Sequence, residues 1–332
     1  MTLPSWPFLV FELSIYLLAV LSLVHAWRRT NGRYFAFSII AALIYGLVSE
    51  NLQIRTTSEY YYNRFLVMVC IDTSNVGFSI ESYQCNSTDY CVPLVISTME
   101  SLIIYAVMFT SDRLGFAWGA RPFFDALLAV SIDAWLDPVV AVGYSCITGM
   151  VEGNGLGFWV WELTAENPGQ WFGIPLNNYG GWFLGIFFFS LYIRIGRWKY
   201  PPCSKGIWSD IIVPLLAIPV AMVSVALSIM VYVWLLNFMT QAQLLLLIFG
   251  VSLLIVLYFG RGAQRGYRPD WLILAVPLFF YEFCLFVPLI QGIYAGQAGL
   301  WLVAAGSMLV GLIGFYLWPC TLIGGGAQHE RA

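Results

Sequence analysis

The chain has 332 residues, 60% of them hydrophobic and 10% charged, with a formal net charge of −3. That composition excludes an ordinary soluble domain, and so small a net charge gives nucleic acid or any other polyanion no handle. The apolar runs are about 20 residues long and continuous, whereas strands of a membrane barrel would be ~10 residues long and alternate in polarity.

The expected fold class is therefore all-α, a polytopic transmembrane helical bundle, because lipid leaves the backbone only helices or closed barrels. Nine spans are predicted, at roughly 8–27, 34–54, 92–110, 122–147, 176–196, 209–236, 242–260, 271–293 and 297–319, within one integral membrane domain over 1–332. The first run contains Glu12 and has no basic stretch before it, so it does not read as a cleavable signal peptide. Between the spans, thirteen of the fifteen basic residues fall on one side: Arg28, Arg29, Arg33, Arg113, Arg121, Arg194, Arg197, Lys199, Lys205, Arg261, Arg265, Arg268 and Arg331. Only Arg55 and Arg64 fall on the other. By the positive-inside rule the N-terminus is expected outside and the C-terminus in the cytosol.

Two long loops then lie outside. The loop 55–91 carries Tyr60, Tyr61 and Tyr62 together with Cys70, Cys85 and Cys91. Cys85 and Cys91 are a candidate disulfide in an oxidising compartment, and Asn86-Ser87-Thr88 between them is a glycosylation sequon. The loop 148–175 has no Lys or Arg and is rich in aromatic residues, so it is expected to lie in the interface or to re-enter the bundle.

Seven acids fall within or at the ends of spans: Glu12, Glu50, Glu100, Asp125, Asp133, Asp137 and Glu282. Ionisable groups at bilayer depth are costly and point to function, and no Lys or Arg in the acid-bearing spans looks placed to neutralise them. A carboxyl in an apolar site without a cation holds its proton more tightly than in water, and two adjacent carboxyls separate into one acid and one carboxylate. Asp133 and Asp137 are four residues apart and share a helix face. They, with Glu50 and Glu100, are the candidate catalytic residues. Asp125 near a span end reads as structural, Glu12 as interfacial and Glu282 as open to either reading. Asp137-Pro138 also fits an N-cap and first position of a broken helix, with a kink where Pro138 cannot bond the carbonyl of Ala134.

Trp159, Trp161, Trp171 and Trp182 fit either an interfacial belt or the wall of a binding pocket whose ring faces favour a cation. Asn177 and Asn178, at a predicted helix start, fit helix caps or ligand contacts. With Trp159, Trp161, Trp171 and Trp182 they make the candidate substrate-binding set. The two histidines, His25 and His329, and the scattered cysteines build no metal site. No nucleotide-binding or serine-hydrolase motif occurs, so no cofactor is expected.

Asp125-Ala126-Leu127-Leu128, Asp133-Ala134-Trp135-Leu136-Asp137-Pro138, Trp159-Val160-Trp161, Trp171-Phe172-Gly173-Ile174-Pro175-Leu176-Asn177-Asn178 and Gly181-Trp182 together resemble the membrane carotenoid-biosynthesis family that includes carotenoid 1,2-hydratases and bisanhydrobacterioruberin hydratase. The resemblance covers about a third of the chain. It implies a hydrophobic isoprenoid or carotenoid substrate and a cofactor-free addition of water across a terminal isoprenoid double bond. A protonation-initiated terpenoid cyclase shares the first step. A non-catalytic pigment carrier or a proton-coupled transporter is the reading of another class.

Overall fold

The computed structural model describes residues 5–56, 59–70, 91–145, 147–260, 270–295 and 297–317. Among these residues there are nine α-helices: α1 Trp6–Trp27, α2 Gly32–Thr56, α3 Leu94–Leu114, α4 Arg121–Val140, α5 Leu176–Lys199, α6 Val213–Leu235, α7 Gln241–Phe259, α8 Trp271–Gln291 and α9 Ala298–Gly311. A π turn, Trp208–Ile212, leads into α6, and another, Leu312–Leu317, continues α9. Eight of the nine are long and apolar enough to cross a membrane. The protein is an all-α, multi-pass membrane bundle.

Local chemistry sets several helix ends. Gly115 ends α3 in the left-handed conformation. Thr240 and Gln243 form a capping box at the start of α7, and the Asp270 side chain accepts from the Leu272 N–H at the start of α8.

The exception among the nine is α4, which carries Asp125, Asp133 and Asp137. With α3 it is one of the two most deeply buried helices. Fifteen of its 20 residues are buried, and α3, α5, α7, α8 and α9 all pack against it. By contrast α6 and α7 turn Val223, Leu227, Met230, Leu246 and Leu254 outward. Protein, not lipid, surrounds the acid-bearing helix, which is where intramembrane carboxyls are tolerated.

The described parts of the two connecting loops contain sheet. Strands β1 Tyr60–Tyr62, β4 Ala141–Tyr144, β5 Val151–Glu152 and β6 Trp159–Glu162 make one sheet in the order β1-β6-β4-β5. Within it β1 runs antiparallel to β6, pairing Tyr60 with Trp161 and Tyr62 with Trp159, and β4 runs parallel to β6. The fourth span therefore ends at Val140, short of the predicted 147, because the chain turns there into β4. Strands β2 Met68–Cys70 and β3 Cys91–Pro93 form a separate antiparallel pair.

That pair corrects the expected disulfide. Cys91 bonds Cys70, its partner in the strand register, at a Cα–Cα distance of 4.3 Å. Cys85 and the sequon at Asn86 lie outside the described residues.

Glu12 is likewise not interfacial. It is fully buried, accepts from the backbone N–H groups of Leu66 and Val67 at 2.7 and 3.1 Å, and takes the hydroxyl of Tyr16 at 2.9 Å. It ties α1 to the segment before β2.

Candidate functional site

The four candidate catalytic acids come from three helices and meet inside the bundle. Asp133 and Asp137, one turn apart on α4, are hydrogen-bond neighbours. Glu50 near the end of α2 and Glu100 on α3 form a second hydrogen-bonded pair. The two pairs lie within electrostatic range of one another, Glu100 near Asp133 and Glu50 near Asp137. Glycine makes the α2–α3 approach possible: a Cβ at Gly46 would fall on the Glu100 carboxylate. Among the described residues none of the four acids forms an ion pair.

Asn178 holds the aspartate pair. Its Nδ2 donates to Oδ2 of Asp133 at 3.0 Å and to Oδ2 of Asp137 at 2.7 Å. It is not a helix cap, since Pro175 occupies the cap position of α5 and makes no side-chain bond there. Asn177 makes no hydrogen bond to the acids among the described residues, and its Oδ1 is buried without a partner there.

The tyrosines of β1 hold the glutamate pair. The hydroxyls of Tyr60 and Tyr62 both donate to Oε2 of Glu50, each at 2.5 Å. Burial first, and then the charge of Glu50, pushes both phenols well above their ordinary range, so they remain donors. Their rings pack on their strand partners: Tyr60 lies 4.6 Å from Trp161 and Tyr62 lies 5.9 Å from Trp159, centroid to centroid. Trp159 and Trp161 are buried, at 5% and 3% exposure, so neither is a lipid-facing belt residue. They back the tyrosines that hold Glu50.

Trp171 has a different task. Pro138 lies inside α4 and has no N–H for the carbonyl of Ala134. The indole Nε1 of Trp171 supplies that donor at 2.9 Å. The helix accordingly runs through Pro138 to Val140, and Asp137 does not cap a broken helix. The turn that delivers Trp171 is tight. Phe172 and Gly173 both have positive φ, 54° and 89°, and Trp171 bridges to Ile174. Such a conformation at a phenylalanine costs of order 1–3 kcal/mol. Trp182 is partly buried against the core and joins no hydrogen bond of the cluster.

The remaining acids separate from this site. Asp125 is neutralised, contrary to expectation, by Arg194 of α5 at 2.6 Å, with both side chains fully buried. Ser111 and Ser190 add donors to Asp125. Arg194 continues to Asp112, which also takes Arg121 and Arg197. In the sequence Arg194 reads only as a topology signal, although its position inside the predicted fifth span sets it apart. Glu282 is exposed on α8, turned away from the cluster.

Tyr60, Tyr62 and Tyr179 are the members that sequence reasoning missed, and Tyr179 lies nearest the aspartates. It follows Asn178 on α5, is buried, and lies in electrostatic range of Asp137 and Asp133. Among the described residues no group of three or more His, Cys, Asp or Glu is arranged to hold a metal. What the arrangement offers is proton chemistry: two carboxyl pairs without cations, fixed by amide and phenol donors and walled by aromatic rings. Compared with family models, curated proteins and solved structures, the chain gives no significant match.

Proposed function

We propose that this protein is a cofactor-independent membrane enzyme that hydrates a terminal double bond of an isoprenoid or carotenoid. The observation that carries this reading is the Asp133–Asp137 pair, bridged by one amide of Asn178 and facing Glu50 and Glu100 with no ion pair among the four. The resemblance to carotenoid hydratases in Asp125–Trp182 adds to it.

In this mechanism Asp137 gives its proton to the terminal alkene carbon, leaving a tertiary cation. The carboxylate charge and the ring faces of the β1–β6 aromatic residues stabilise that cation. Water adds to it and passes a proton to Asp133 as base. The proton returns to Asp137 through the hydrogen bond between the pair. The net change is one water added across one double bond. Asn178 keeps both carboxyls in register throughout. The segregation of basic residues supports an orientation with the N-terminus outside, and a reporter fused after Lys205 is then expected on the cytosolic side.

The test is expression of the chain in a clean host that makes an acyclic carotenoid, followed by mass analysis of the pigments. A product heavier by one water supports hydration. An isomer of unchanged mass makes the protein a cyclase that uses the same first step. Unaltered pigment from wild type, in correctly inserted protein, removes the enzymatic reading in favour of a carrier or proton-coupled transporter.

A further inference from the structure

Two polar atoms beside the aspartate pair lack partners. The hydroxyl of Tyr179 and Oδ1 of Asp133 are both buried and make no hydrogen bond among the described residues. The Tyr179 side chain is only 4% exposed. The other oxygen of Asp133, Oδ2, is already engaged by Asn178, as is Oδ2 of Asp137.

Packing alone does not account for the hydroxyl. The ring of Tyr179 sits edge-on to Trp171, with centroids 6.4 Å apart. A phenylalanine would make the same ring contact without burying an O–H. Buried hydroxyls and carboxyl oxygens are as a rule hydrogen-bonded, and an unpaired one is costly. Tyr179 lies in electrostatic range of both aspartates, so its hydroxyl and the free oxygen of Asp133 supply the two polar partners that a bound water needs at minimum.

We infer that Tyr179 and Asp133 Oδ1 form a subsite for the reacting water. This rests on the hydration reading and deepens it. Water held there gives one hydrogen to Asp133 Oδ1 and accepts the O–H of Tyr179. Its remaining lone pair is left to meet the cation. When the C–O bond forms, the proton shared with Asp133 transfers to that carboxylate, and no other reactant is consumed. Tyr179 is thus a residue that selects the fate of the cation, and Asn178 beside it is a positioning residue for the acids.

The experiment compares wild type with Tyr179→Phe in membranes of a lycopene-producing host. The readout is the ratio of hydrated product to double-bond isomer of unchanged mass. Without the water contact, the cation loses a proton more often than it gains water, and the ratio is expected to fall at least ~10-fold. An unchanged ratio overturns the inference. A second measurement does not depend on turnover. Infrared spectra of the purified protein are recorded in ordinary and heavy-oxygen water. An O–H stretching band that shifts with the isotope, and is lost in both Tyr179→Phe and Asp133→Asn, supports the subsite even if wild type makes no hydrated pigment. A band that persists in Tyr179→Phe, or the lack of any isotope-sensitive band, refutes it.

Discussion

The indole N–H of Trp171 donates to the carbonyl of Ala134 at 2.9 Å. That carbonyl is the one Pro138 leaves without its helical donor. The aromatic loop thereby splints α4 between Asp133 and Asp137, and the order Asp133-Ala134-Trp135-Leu136-Asp137-Pro138 acquires a physical reason. Trp171→Phe keeps a ring but strands the carbonyl. Leaving a buried acceptor unpaired costs about 1–3 kcal/mol. Thermal unfolding in detergent should report a lower midpoint for Trp171→Phe, and a midpoint equal to wild type would show that the splint carries no weight.

The Asn178 amide is the second point of control. Asn178→Leu removes the donor to both aspartates. Loss of register at a reacting centre typically costs on the order of 10²-fold in rate. Turnover of Asn178→Leu should fall by about that factor, with Asn178→Gln in between. Equal turnover in all three proteins at matched amounts would remove Asn178 from the mechanism.

The sheet predicts a disulfide that sequence spacing does not. Peptide mapping under non-reducing conditions should recover Cys70 linked to Cys91. Closing a loop of this size is worth about 3 kcal/mol in the chain-entropy account. Cys70→Ser should therefore lower the melting temperature of the oxidised protein and leave the reduced protein little changed. Recovery of Cys85–Cys91 peptides instead would contradict the β2–β3 register.

Much of this was legible in the residues one at a time, and little of it in combination. Continuous apolar runs located every helix, since twenty-residue hydropathy is a local signal. The four acids stood out because each breaks such a run. The Asp133–Asp137 pair was legible from its spacing of four, but the Glu50–Glu100 pair and its approach to Asp133 were hidden because these residues lie on three helices, and no single-helix period relates them. The sheet was hidden for a similar reason. Its strands are two to four residues long, and its key pairing joins Tyr60 to Trp161 across the chain. Arg194 shows the converse error. A basic residue at a span end reads as a topology signal until a buried carboxylate such as Asp125 is found beside it.

A charged clamp at the other end of the bundle gives a pH prediction. Asp270, at the start of α8, bonds His25 in the last turn of α1 at 2.9 Å and Arg29 just beyond it at 2.5 Å. Burial opposes its charge, but the hydrogen bond and charge of His25, the Leu272 N–H and Arg29 together hold the carboxyl below the usual aspartate range. A depressed pKa means that the stabilisation is present above the unfolded value, about 3.9, and is lost as pH falls through the lower folded value. Asp270→Asn should therefore melt below wild type at neutral pH, with the gap closing as pH falls through the lowered folded-state value. A gap that widens on acidification would contradict the clamp.

The central claim is that the Asp133–Asp137 pair performs the chemistry. The most direct measurement is the yield of hydrated pigment from wild type, Asp133→Asn and Asp137→Asn, in a host supplying an acyclic carotenoid, normalised to inserted protein. The substitutions keep side-chain size, so both variants should accumulate in the membrane. The account predicts hydrated product from wild type and a loss of ~10²–10⁴-fold in each variant. Near wild-type yield from both variants would contradict it.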